Sequence, residues 1–203
     1  MPDIHVPKLD GHGGGKSIFK LILEVSLIGV GVFLGLAGEQ WRERAHQREL
    51  AEQSLRRFKL EITANRKAIA DVKDYHAERL KELTVYFKTK PADRGKVAVR
   101  ITRGLNPAFI EHSAWDLAIA TQSLGYIDAD LGVLLSSIYN NQQAYLAEGS
   151  AFLQAMFINP PTINGDTFLA DMLTFYSDAE LFEPRLIRLY DDAVQRIDKT
   201  LSR

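Results

Sequence analysis

Residues 21–38 are apolar and glycine-rich with a single charge, Glu24, and this run limits what the chain can fold into more than any other. As a helix rising ~1.5 Å per residue it measures about 27 Å, close to the thickness of a bilayer's hydrocarbon core. A helix that is apolar on every face has no side to turn toward water, so a soluble core helix suits it poorly. Trp41 falls where an interfacial aromatic belongs, and Arg42 and Arg44 follow in the headgroup zone. A cleavable signal peptide is the rival reading, with Gly35 and Ala37 as a small-x-small site ahead of Gly38. The reading adopted is a retained transmembrane helix over residues 18–41, preceded by a flexible Gly-rich tail over residues 1–17.

Two features of the span bear on partners. Glu24 lies four residues after Lys20, so it is either hydrated near the interface or in contact with another membrane subunit. Gly31 and Gly35 form a Gly-x-x-x-Gly pair, with Gly38 about one turn further on, and such a stripe lets another helix approach closely. Glu24, Gly31, Gly35, Gly38 and Trp41 are therefore the candidate contacts within the bilayer. Upstream, Gly13-Gly14-Gly15-Lys16-Ser17 resembles the end of a phosphate-binding loop, but Asp10 stands where that pattern requires a glycine. No cofactor is expected.

The remainder reads as helices. Over residues 42–88, Leu55, Ile62, Ile69 and His76 recur every seven residues, and Ala51, Phe58, Asn65 and Val72 form a second series offset by three. Interleaved, they make a heptad-like seam on one long amphipathic helix. The seam packs either on the chain's own later helices or on another chain. In the second case Leu55, Phe58, Ile62, Asn65, Ile69 and Val72 are the contacts, with Asn65 as a polar position that sets register.

Residues 89–112 carry Pro91, Gly95, Gly104 and Pro107 and read as a connecting loop. Residues 113–203 supply the rest of the bundle. Ser113 reads as the N-cap of a helix over 113–124, and Asp128 as the cap of one that ends before Asn159-Pro160-Pro161. Asp166 caps a helix reaching about Ser177, and Pro184 suits the first turn of a final helix. Asn140, Asn141, Gln142 and Gln143 read as a solvated face.

Lys+Arg 25 against Asp+Glu 26 leaves a net charge of -1, which argues against nucleic acid as a partner. The absence of cysteine removes disulfide and thiolate chemistry. None of the five histidines falls in a zinc-binding spacing, so no metal site is expected. Glu111, His112 and Asp116 cluster at a helix start, where acid–base chemistry competes with simple dipole complementation.

Residues 23–48 resemble a widespread group of uncharacterised bacterial single-span membrane proteins, in which a Glu opens a glycine-containing span and a Trp-Arg-Glu motif follows it. Here the motif stands as Glu24-Val25-Ser26-Leu27-Ile28-Gly29 and Gln40-Trp41-Arg42-Glu43-Arg44; Ala114-Trp115-Asp116 and Leu135-Ser136-Ser137-Ile138-Tyr139 resemble later features of the group. The resemblance implies single-span topology and carries no catalytic residue over. The expectation is an all-α protein: one N-terminal transmembrane helix continuing into a long amphipathic helix packed in a small bundle. Its expected role is as a non-enzymatic accessory or scaffolding subunit of a membrane complex, in contact with the lipid bilayer and with other membrane subunits or itself. The alternative is a homo-oligomeric sensor or signalling adaptor. Localisation is expected at a bacterial inner membrane, with the C-terminal domain leaning cytoplasmic.

Overall fold

The structure is a computed structural model and describes residues 14–97, 99, 104–158 and 165–202. Most of the expected tail (residues 1–13) and most of the expected 159–166 loop (residues 159–164) lie outside the described residues. The described residues form four α-helices, α1 (Gly14–Lys88), α2 (Ser113–Ala120), α3 (Ala129–Ile158) and α4 (Gly165–Leu201). Short 3-10 turns lie at Pro91–Lys96 and Ser123–Tyr126. No strand occurs among the described residues, and the all-α expectation holds.

The chain divides into two compact units, Met1–Gln47 and Arg48–Arg203. In the first, α1 begins at Gly14, so the final residues of the expected flexible tail are helical instead. Every residue from 21 to 46 is exposed. This part of α1 is long and apolar enough to cross a membrane.

In the second unit the heptad seam lies inside the chain's own core. Ala51, Leu55, Phe58, Ile62, Asn65, Ile69, Val72 and His76 are all buried. The apolar members of the seam join Leu135, Ile138, Leu186, Tyr190 and Ile197 in one cluster. Leu55, Phe58, Ile62, Asn65, Ile69 and Val72 are thus not presented to another chain, which corrects the intermolecular reading of the seam. The physical reason is that α3 and α4, packed on each other, offer a continuous apolar face that takes up the stripe. A second cluster gathers Leu83, Phe152, Met172, Phe175 and Tyr176.

Three local expectations need correction. Residues 166–201 do not break before Pro184; α4 runs through it. Its buried positions, Met172, Phe175, Tyr176, Ala179, Glu183, Leu186, Tyr190, Ala193 and Ile197, keep three- and four-residue spacing across the proline. Packing along that stripe outweighs the one backbone hydrogen bond that proline removes. The helix expected over 113–124 ends at Ala120, where Gln122 turns left-handed at φ 55. Its N-cap is His112 rather than Ser113, and the His112 side chain caps no backbone N–H of the first turn.

Asn65 shows why the seam tolerates a polar residue. Its Nδ2 donates to the Glu111 carbonyl at 2.7 Å, and the Glu111 N–H donates back to its Oδ1 at 2.9 Å. Asn65→Leu therefore strands two backbone groups. Chemical denaturation of the variant should show a loss of about 1–3 kcal/mol, while sedimentation finds the association state unchanged.

Candidate functional site

The chain's polar chemistry gathers where α1 meets residues 104–114, a stretch with little regular structure of its own. Glu61, 7 % exposed, is its strongest element. Glu61 Oε2 accepts from the Ser113 hydroxyl and the Ala114 N–H, both at 2.8 Å, and Oε1 accepts from the Tyr139 hydroxyl at 2.6 Å. The α2 N-terminus is thus capped by a carboxylate from another helix, in the place where the dipole favours negative charge. Four residues along, Asn65 holds Glu111. Further on, His76 Nδ1 lies 2.5 Å from Glu183 Oε1, which also accepts from the Tyr145 hydroxyl at 3.0 Å. His76 Nε2 faces the Leu105 and Asn106 carbonyls at 2.9 and 3.0 Å, so this nitrogen must carry a hydrogen. The Tyr75 and Tyr176 hydroxyls both donate to the Gly104 carbonyl.

Burial pushes the hydroxyls of Tyr139, Tyr145, Tyr176 and Tyr190 well above the ordinary phenol value. The neighbouring carboxylates add to this, Glu61 at Tyr139 and Glu183 at Tyr145. These tyrosines are hydrogen-bonded structural groups, held neutral where an unfolded chain would ionise.

Three concavities lie beside this line. The smallest, about 240 Å³, is lined by His112, Trp115, Asp116, Tyr139 and Gln142 among others. Trp115 stacks on Tyr139 with ring centroids 4.9 Å apart. His112 Nδ1 and Asp116 Oδ2 lie 2.7 Å apart as an exposed i,i+4 pair. Glu111, the third member of the suggested acid–base group, lies elsewhere, in a shallow concavity shared with Glu61 and Ser113. The structure therefore brings two of the three together and separates the third. Gln142 is buried, unlike the solvated face expected for it; it donates to the Tyr190 hydroxyl, and its Oε1 has no partner among the described residues. A third concavity, apolar and about 410 Å³, is bounded by Leu105, Phe109, Phe152, Met156, Phe168 and Met172 and neighbouring residues. Among the described residues, no group of His, Asp or Glu has an arrangement that could hold a metal ion.

In the first unit, the span residues singled out from sequence share one helical stretch. A Cβ built on Gly31, Gly35 or Gly38 would meet nothing within 4 Å, so the glycine stripe is open. Trp41 is 77 % exposed, and Arg42 pairs with Glu39 at 2.8 Å. Glu24 is exposed on the same stretch. Sequence reasoning missed Glu61 and Glu183. Each has a readable signal, an acidic residue falling on the apolar stripe of its helix.

No protein-family model matches the chain, and no curated protein or solved structure is significantly similar to it.

Four raised tyrosines make alkaline stability a direct test. Below about pH 10 both folded and unfolded chains keep these protons and their contribution is complete. Above it the unfolded chain releases them first, so stability falls by ~1.4 kcal/mol per pH unit for each tyrosine until its folded value is reached. Denaturation measured between pH 9 and 12 should show this decline, with a shallower slope in Tyr190→Phe.

Proposed function

We propose that the chain is a single-pass membrane-anchored helical protein, acting as a non-enzymatic accessory or scaffolding subunit of a larger membrane complex. The observation that carries this reading is the open face of α1 in the first unit. From Phe19 onward its apolar side chains are exposed, with Phe19, Phe33 and Ile28 around two-thirds or more uncovered, and Gly31, Gly35 and Gly38 leave a stripe with no neighbour. Lipid satisfies the apolar side chains, while a small-residue stripe is the surface that another transmembrane helix approaches most closely. The resemblance of residues 23–48 to bacterial single-span proteins supports the same topology and a bacterial inner membrane.

Basic residues near the span support a cytoplasmic C-terminal domain: Lys8, Lys16 and Lys20 precede it, and Arg42, Arg44, Arg48, Arg56 and Arg57 follow. The homo-oligomeric sensor reading loses the heptad seam, which is internal. It retains only the glycine stripe as a surface for a second copy.

The test is extraction of the protein from its own membrane under gentle conditions, followed by native mass analysis. Unlike subunits at fixed stoichiometry are expected with the wild type. The double variant Gly31→Leu, Gly35→Leu should stay in the membrane and lose them, since added side chains hold the helices apart. Unchanged association in that variant would overturn the span-contact reading, and a pure homo-oligomer in the wild type would favour the sensor.

A further inference from the structure

The apolar concavity of the bundle borders the polar line only at Gly104, Leu105 and Tyr145. Its walls come from three places: residues 104–109, α3 between Tyr145 and Met156, and α4 between Phe168 and Phe175. None of the described residues lining it is charged. It contains two side-chain hydroxyls, and both are already engaged, Tyr145 with Glu183 at 3.0 Å and Ser150 with the Leu146 carbonyl at 3.0 Å. A polar ligand entering here would lose its hydration without finding a partner, and a peptide would bring backbone amides that the walls cannot satisfy.

The volume, about 410 Å³, lies within the ~300–1,000 Å³ range of sites that take small organic ligands. Met156 and Met172 line it, and unbranched thioether side chains adapt to a flexible occupant. Leu153 is half exposed in the lining, Phe109 is 86 % exposed, and Phe157 one turn beyond Leu153 is 84 % exposed, so apolar surface continues outward from the cavity. Gly149, mid-helix in α3, keeps one wall back. A Cβ there would meet only the Phe175 ring edge at 4.0 Å, an ordinary van der Waals contact.

The geometry points to a binding site for one uncharged aliphatic chain, the acyl tail of a fatty acid or of a phospholipid. The walls bury methylenes, offer nothing to a headgroup, and leave an open side through which the polar end of the ligand stays in water or at a membrane surface. This site needs no partner subunit, and so stands apart from the scaffolding role.

The experiment uses the full chain in phosphatidylcholine nanodiscs with two probes, a fatty acid bearing a diazirine in its tail and a phosphatidylcholine carrying the same tail. After illumination, labelled peptides are mapped by mass spectrometry. Label on residues 145–175 from either probe is expected, the fatty acid pointing to a soluble ligand and the phospholipid to bilayer lipid. Gly149→Leu should lower that label by about tenfold or more as the side chain fills the space, and Leu153→Glu should do the same by placing a charge in the wall. Gly132→Leu, on the same helix away from the cavity, should label as the wild type does. Label on residues 21–41 reports separately whether the span meets lipid, so failure of the anchor reading and failure of the site are distinguishable. The proposal is overturned if neither probe labels residues 145–175, or if the label persists undiminished in both Gly149→Leu and Leu153→Glu.

Discussion

Glu61 is the residue on which the arrangement of the bundle depends. A buried carboxylate is costly unless several donors face it, and here there are three, from Ser113, Ala114 and Tyr139. Those donors come from the start of α2 and the middle of α3, so satisfying one charge sets the position of both helices against α1. Asn65 and His76 extend the same logic along α1, each engaging the backbone of residues 104–111. That stretch is largely without helix or strand, and its buried polar groups need partners from elsewhere. Side chains of α1 supply them, and the connection becomes part of the core, with Ala108 4 % exposed.

The apolar side of the fold follows from one helix carrying two patterns in succession. From Leu21 to His46 the α1 residues are exposed, and they are predominantly apolar as far as Gly38; from Ala51 only one face is apolar, and that face is buried. The first pattern suits a surrounding of lipid, the second a surrounding that is core on one side and water on the other. The two units of the chain correspond to this change, with their boundary after Gln47.

The described residues leave two kinds of unfilled apolar surface, one in each unit. The glycine stripe of the span is open and suited to another helix, while the concavity beside Gly149 is apolar, half-enclosed and suited to a small flexible molecule. The difference lies in backbone accessibility. A transmembrane helix has already satisfied its own amides and needs only close approach, whereas the cavity walls give no hydrogen bond and so select an occupant that requires none.

Much of this was legible in the residues. The 21–38 run, the seam from Ala51 to His76 and the three-residue glycine stripe are periodic or compositional features, and hydrophobic periodicity reports directly which face of a helix must leave water. What periodicity cannot report is which surface receives that face. Whether Leu55 and Phe58 met a second chain or α3 and α4 depended on the shape of distant helices. Pro184 misled because local propensity marks it as a helix start, and only the continuous buried stripe from Met172 to Ile197 outweighed that signal. Glu61 and Glu183 were passed over because a carboxylate on an apolar stripe looks like a fault until its donors, far away in sequence, are brought to it. The sequence by itself therefore determined the helical class, a helix long and apolar enough to cross a membrane, and the buried face of α1 beyond Ala51, since these follow from local chemistry and spacing. Only the tertiary structure decided that the seam is internal, that α4 is one helix, and that a carboxylate of α1 caps α2, because each rests on contacts between residues tens of positions apart.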